Sequence, residues 1–384
     1  MHYEARVRIV VAAALVLGAQ ASCGGTGENV ARGRGLSENV SRRVTVAEDL
    51  TVFTMFSLLN AAGYDLENRP QMHPVRVKVR AELARRLDPA LRQRLQEFYA
   101  AHSGHADPWT YTVVAEATAG PPTFVPSADW EEIGKDQRFA DLSDLHQLLP
   151  AFYASANIPA VYATVRSDYV DYIRAYETEI RREVVAVLTY CRIQDVEALG
   201  AAPPGERSEA RVVPNLLDSY EHAFSFELGG RFVSVEGPQT RLGYNPHEFV
   251  HAVTNPVVYA PATRALADRL RPVMEEAARA LGNDASFGSP EAFVDENLVR
   301  AISLRYLVSD RTEHVGALAR SMTAEYRSGY ILERFFWEQL AGYEASSADL
   351  RTFFPTILSR LDPEAELLRW REARAKEPPR QPGR

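Results

Sequence analysis

Apolar positions along the chain repeat with two different periods. From Leu142 to Ile193 they fall at helical spacing, with Leu145, Leu148, Leu149, Phe152 and Tyr153 early and Val185, Val187 and Leu188 late, interrupted once at Ile158-Pro159. Pro203-Pro204-Gly205 closes that block. The stretch Val75 to Leu95 predicts another helix, and Ala262 to Leu281, Pro290 to Leu307 and Met322 to Leu340 predict three more. Between these blocks the period drops to two. Phe224, Phe226 and Leu228 alternate with Ser225 and Glu227, Gly229-Gly230 supplies a two-residue turn, and Arg231 to Val235 alternates again, which predicts a β-hairpin. Pro108 to Pro126 carries β-branched and aromatic residues between Pro and Gly stops and predicts a strand or an extended lid. After the hairpin, Asn245 as cap and Pro246 at the first helical position open a short helix that ends at Asn255-Pro256. The class is therefore α+β, mostly helical, with order beginning near Val44. Residues 44–371 are expected to form a single domain, 44–260 holding the sheet and 261–371 helical.

Charge and composition narrow the function classes. Forty-three Lys and Arg against 51 Asp and Glu give a net charge of -8 with no basic stripe, so the electrostatic footprint of nucleic-acid binding is absent. Two cysteines, Cys23 and Cys191, exclude a disulfide framework and a Cys-rich zinc site; a metal would have to be held by His and carboxylates. Arg6 and Arg8 precede an apolar run from Ile9 to Ala21, the pattern of a secretion signal over residues 1–22 and too short for a bilayer span. Ala21-Ser22-Cys23-Gly24-Gly25 also resembles a bacterial lipobox, so Cys23 is a candidate lipid anchor. Either processing route makes the mature chain extracytoplasmic, in the periplasm, at the cell envelope or secreted. Residues 23–43 read as a tether, and the Pro-rich basic tail 372–384 as a frayed terminus.

One motif carries a mechanism. His247-Glu248-Phe249-Val250-His251 places two imidazoles at i and i+4, on one face of a helix, where they can share one Zn2+. Glu248 flanks such an ion and can take a proton from water as general base. The same residues also fit a capping box, with Asn245 as cap and Glu248 returning a hydrogen bond. A catalytic zinc usually has three protein ligands, and no further His follows closely, since position 254 is Thr and 257 is Val. The third must be a downstream carboxylate. Glu275, Glu276, Asp295 and Glu296 are the candidates; Glu296 is preferred because its half-apolar helix neighbours would make an unpaired carboxylate costly. Asp295 is the main rival ligand, and a Glu296-Arg300 pair the competing explanation. Tyr330, with Tyr326 beside it, is a candidate donor to the charge that develops during hydrolysis. His102 and His105 have the i,i+3 spacing of a second metal pair, but Gly104 and the nearby Pro108 argue for a polar loop instead. The motif resembles that of zinc peptidases, which implies that the strand preceding the motif helix lies along a cleft edge, where a substrate backbone could pair.

HEFVHAVTNP resembles the HEFxHxxxNP signature of an uncharacterised bacterial secreted family of zincin-like, gluzincin-type metallopeptidases, and ENLVRA resembles that family's downstream acidic helix. The resemblance runs from about Val44 to Arg360 and is specific over Asn245 to Pro256 and Phe293 to Tyr306. It implies a zincin-like fold and a zinc-dependent peptidase acting on a peptide or protein substrate. His247, His251 and Glu296 match the ligands and Glu248 the base. The 44 residues between His251 and Glu296 exceed the usual gluzincin interval. The alternative expectation is a lipoprotein that keeps the zincin fold to bind peptide or glycan without turnover.

Overall fold

The computed structural model describes residues 43–64, 72–104, 106–193, 210–239, 247–282, 287–310 and 315–375. The proposed signal, Cys23, the tether up to residue 42, the end of the tail, His105, Asn245 and Pro246 lie outside the described residues. Helices dominate, with one small mixed sheet, so the α+β class holds. No helix among the described residues is long and apolar enough to cross a membrane.

The chain divides into two compact units. The first takes the described residues up to Val184 and from Ala210 to Phe249; the second takes Val185 to Ile193 and everything from Val250 onward.

In the first unit the sheet order is β1-β2-β4-β3, with β1 Val44–Val46, β2 Ala210–Pro214, β3 Ala223–Leu228 and β4 Arg231–Glu236. β1 and β2, and β2 and β4, run parallel, while β3 and β4 form the antiparallel hairpin foreseen from the alternation. Gly229 and Gly230 both have positive φ, 53° and 73°, which a two-residue type I′ turn requires and other residues adopt only with strain. β4, the strand immediately before the motif helix, lies inside the sheet between β2 and β3, so the strand expected at an edge is interior and β3 forms that edge. The reason is β2. Its five residues are nearly all buried and end in Pro, so they show no alternation from which to foresee a parallel strand.

The Leu50–Ala62 helix packs at the centre of this unit, against the Pro74–Arg86, Pro89–His102, Pro108–Glu116 and Leu145–Ser155 helices. It is capped by Asp49, whose carboxylate accepts from Thr51 N at 2.7 Å, and it ends at Gly63 with φ 108°. Phe53, Met55, Phe56 and Leu59 are buried, and Phe56 stacks on Phe224 of β3 at 6.3 Å. Residues 108–116, expected as a strand or lid, form a helix. Asp107 accepts from Thr110 N at 2.9 Å, Pro108 opens the first turn, and residues 110–116 are buried on every side. β-branched residues tolerate a helix when packing surrounds them, which is why propensity misleads here. Extended structure survives only as the Thr118-Pro126 bridge.

The second unit is helical: Pro261–Arg264, Ala267–Leu281, Pro290–Asp310, Val315–Ser328, Glu333–Ala345, Leu350–Leu358 and Pro363–Ala375. Phe293, Val294, Leu298, Val299 and Ile302 of the Pro290–Asp310 helix are buried with Phe336 and Leu340. Cys191 is a free, buried thiol. The single helix expected over 322–340 is two, broken at Gly329. That residue sits at φ 145° with Ala277 O 3.0 Å from where a Cβ would lie, so the turn and the close approach both need glycine. The Val75 to Leu95 helix is likewise two, split at Leu87-Asp88, where Asp88 caps the second. The motif helix, His247–Val258, runs past Asn255-Pro256 rather than stopping there.

Candidate metal centre

His247, Glu248 and His251 fall in the first turns of the motif helix, and one possible ligand atom from each lies within 4.8 Å of the other two. Helical spacing brings them to one face. Phe249 and Val250 between them are fully buried, so the apolar side fixes the helix while the three polar side chains keep partial exposure. Phe249 meets Phe232 of β4 edge-on at 5.7 Å.

Glu248 is met by the edge strand: Ser225 Oγ donates to its Oε2 at 2.9 Å, which fixes one carboxylate rotamer. Just before β3, His222 places Nδ1 2.8 Å from Asp218 Oδ2, and Tyr64 Oη donates to Asp218 Oδ1 at 2.6 Å. Burial works to lower the His222 pKa, but the charge and hydrogen bond of Asp218, then the charges of Glu248 and Asp107, outweigh it and raise the pKa above the usual histidine value. An imidazole biased toward its charged form therefore lies within the field of Glu248.

His251 is engaged at both ring nitrogens by the Pro290–Asp310 helix. Asp295 Oδ2 lies 2.6 Å from Nδ1, and Glu296 Oε2 lies 3.6 Å from Nε2. Asp295 is only 3% exposed, and its other oxygen accepts from Thr254 Oγ1, one turn after His251. A carboxylate on Nδ1 fixes that nitrogen as the protonated one and leaves Nε2 as the donor atom, the arrangement common behind metal-bound histidines. Two ligand atoms each about 2.0–2.2 Å from one tetrahedral zinc lie roughly 3.3–3.5 Å apart. The Nε2-Oε2 separation is close to that, but it relates Glu296 to His251 and not to His247; among the described residues the group whose ligand atoms cluster is His247, Glu248 and His251, without Glu296.

The other sequence candidates sit as follows. Glu275 is exposed on the Ala267–Leu281 helix, and Glu276 pairs with Arg279 at 2.6 Å and Arg371 at 3.4 Å. The Glu296-Arg300 pair is present at 2.7 Å, alongside the approach to His251 rather than in place of it. Tyr330 lies under the Arg300 guanidinium, 3.7 Å from its ring centroid, and burial pushes its pKa up to about 12. Tyr326 is a core residue, 2% exposed, whose carbonyl accepts from Trp370 Nε1 at 2.7 Å. His102 turns Nδ1 to its own helix at Phe98 O, 2.7 Å.

Asp295, the rival third-ligand candidate, hydrogen-bonds His251 Nδ1 at 2.6 Å. A carboxylate next to a candidate ligand in sequence can serve the neighbouring histidine instead. Thr254 carried a weak signal, three residues after His251 and so on the same helical face. Ser225, Asp218 and His222 carried none, because only the tertiary fold sets them near Glu248. The chain was compared with family models, curated proteins and solved structures, and none matches.

Proposed function

We propose that this chain is a zinc-dependent peptidase with a zincin-like arrangement, its Zn2+ held by His247, His251 and Glu296 and its general base Glu248. The carrying observation is the two-ended grip on His251, with Asp295 at Nδ1 and Glu296 at Nε2. It supports the reading because a merely structural histidine needs no second carboxylate facing the nitrogen opposite its hydrogen bond. The donor set of two imidazoles and one carboxylate is that of hydrolytic zinc sites, which keep a fourth position for water. Bound there, zinc supplies Lewis acidity, polarising a carbonyl and lowering the pKa of water toward about 7. Glu248, held by Ser225, accepts the proton of the attacking water and returns it to the leaving amine. The basic residues and apolar run at the N-terminus, with Cys23, add export and a lipid anchor to the proposal, so its substrate is an extracytoplasmic peptide or protein.

Zinc content and cleavage of a peptide library, with and without chelator, test this directly. Glu248→Gln is expected to keep zinc and lose cleavage, and His251→Ala to lose both. Unchanged turnover in either variant would remove the mechanism. Zinc uptake with no cleavage by the wild type would favour the capture protein instead.

A further inference from the structure

Arg300 lies one helical turn after Glu296, in a position that an ordinary surface pair would leave loosely held. Its contacts are tighter than that. Both Nε and Nη2 reach Glu296 Oε1 at 2.7 Å, Nη1 donates to Glu325 Oε2 at 2.8 Å, and the guanidinium carbon lies over the Tyr330 ring, 3.7 Å from its centroid. Each of these partners is itself fixed. Ser321 Oγ donates to Glu325 Oε1 at 3.2 Å, and the turn bearing Tyr330 is tied down where Leu332 N donates to the buried Asn297 Oδ1 at 3.0 Å.

We propose that Arg300, braced by Glu325 and the face of Tyr330, is a positioning residue that engages Oε1 of Glu296 and so presents Oε2 toward His251 Nε2. The inference rests on the zinc reading above and deepens it. Two N–H groups on one carboxylate oxygen use both of its lone pairs, so that oxygen is a poor ligand and the other is the one offered. Glu296 is then a one-oxygen ligand, which leaves room for water at the fourth position. Lysine could not substitute, because a point charge on a flexible stem neither forks onto one oxygen nor stacks on a ring. The same geometry gives Tyr330 a role as the platform for Arg300. It also reconciles the intrahelical pair with the ligand role, since the two use different oxygens.

The test uses the full chain stripped of metal and titrated with Zn2+ and with Co2+, as wild type and as Arg300→Gln, Arg300→Lys and Glu325→Gln. Zinc affinity is expected to fall about 10–100-fold in both Arg300 variants, the usual cost of losing a partner behind a ligand, and less in Glu325→Gln. In Arg300→Gln the visible Co2+ bands should weaken as the released carboxylate binds through both oxygens and the coordination number rises. A purely structural Arg300 would lower thermal stability without moving either readout. Should Arg300→Gln fail to fold, Arg300→Lys and Glu325→Gln carry the same comparison. Zinc affinities within about threefold of wild type in the folded variants overturn the positioning role alone. A wild type that takes up no zinc overturns the parent reading, and this one with it.

Discussion

Replacing Asp295 by Asn distinguishes a residue that orients a ligand from one that is a ligand. The side chain is 3% exposed and holds His251 Nδ1 at 2.6 Å on one oxygen and Thr254 Oγ1 on the other. An amide of the same shape can still accept from the imidazole N–H, but the hydrogen bond is no longer charge-assisted. Bonds to a charged group contribute about 1.5–3 kcal/mol and neutral ones about 0.5–1.5, so roughly 1–1.5 kcal/mol is lost. At about 1.4 kcal/mol per decade, zinc affinity should fall about 5–10-fold. On the proposed site, Glu296→Gln removes one of three ligands, and with it roughly a third of a zinc binding energy of about 10–16 kcal/mol, so its loss should exceed about 100-fold. Competition with a coloured chelator at pH 7 measures both variants on one scale. An Asp295→Asn loss larger than that of Glu296→Gln would reverse the assignment, and equal affinity for all three proteins would remove both residues from the site.

Other expectations concern buried charge. Burial raises the Glu116 pKa to about 7 against the opposing charge of Arg231, so between about pH 4.5 and 7 the folded state holds a proton that the unfolded chain has released. Stability of the wild type should therefore fall as pH rises through that window, by about 3 kcal/mol at most, and Glu116→Gln should flatten the slope in urea titrations at pH 5 and 8; an unaltered slope refutes it. His222 has the opposite sign: its bond to Asp218 stabilises fully below its unfolded pKa of about 6.5 and fades as pH rises through the elevated folded value. Asp218→Asn should lower that midpoint in an NMR titration, and a His222 curve that does not move would contradict the coupling. Glu333 is fully buried with neither carboxylate oxygen hydrogen-bonded, and burial first, then the charge of Glu325, raises its pKa well above the carboxyl range. Glu333→Met should stabilise by about 1–3 kcal/mol at pH 8, with the gain shrinking toward pH 4, and a loss of stability at pH 8 would show that the carboxyl has a partner.

Much of the fold could be read from periodicity, and the exceptions have physical reasons. The hairpin followed from strict alternation on a half-buried surface, and the long helices from apolar spacing. The block 142–193, however, is three helices, Leu145–Ser155, Ile158–Ala163 and Arg166–Tyr190, with Pro159 opening the second rather than marking the one break expected there. The Pro108–Glu116 helix was misread because residues buried all round carry no amphipathic signal, leaving β-branched composition to mislead. The breaks at Gly329 and at Leu87-Asp88 were hidden because apolar spacing continues across them. At the candidate site, His247, Glu248 and His251 are local in sequence and were found by spacing. The order of Asp295 and Glu296 about His251 was not, since helical phase sets which acid reaches which nitrogen and one residue shifts that phase by about 100°.

The indole of Trp109 donates to the carbonyl of Ser225 at 2.9 Å, on the rim of the sheet. In a strand, alternate residues turn their backbone groups outward, so 223, 225 and 227 are the positions at which β3 could join another chain. The middle one is already taken. An incoming extended segment must displace the indole or dock out of step with it, which guards the rim against sticking between copies and sets the register any guest would have to adopt.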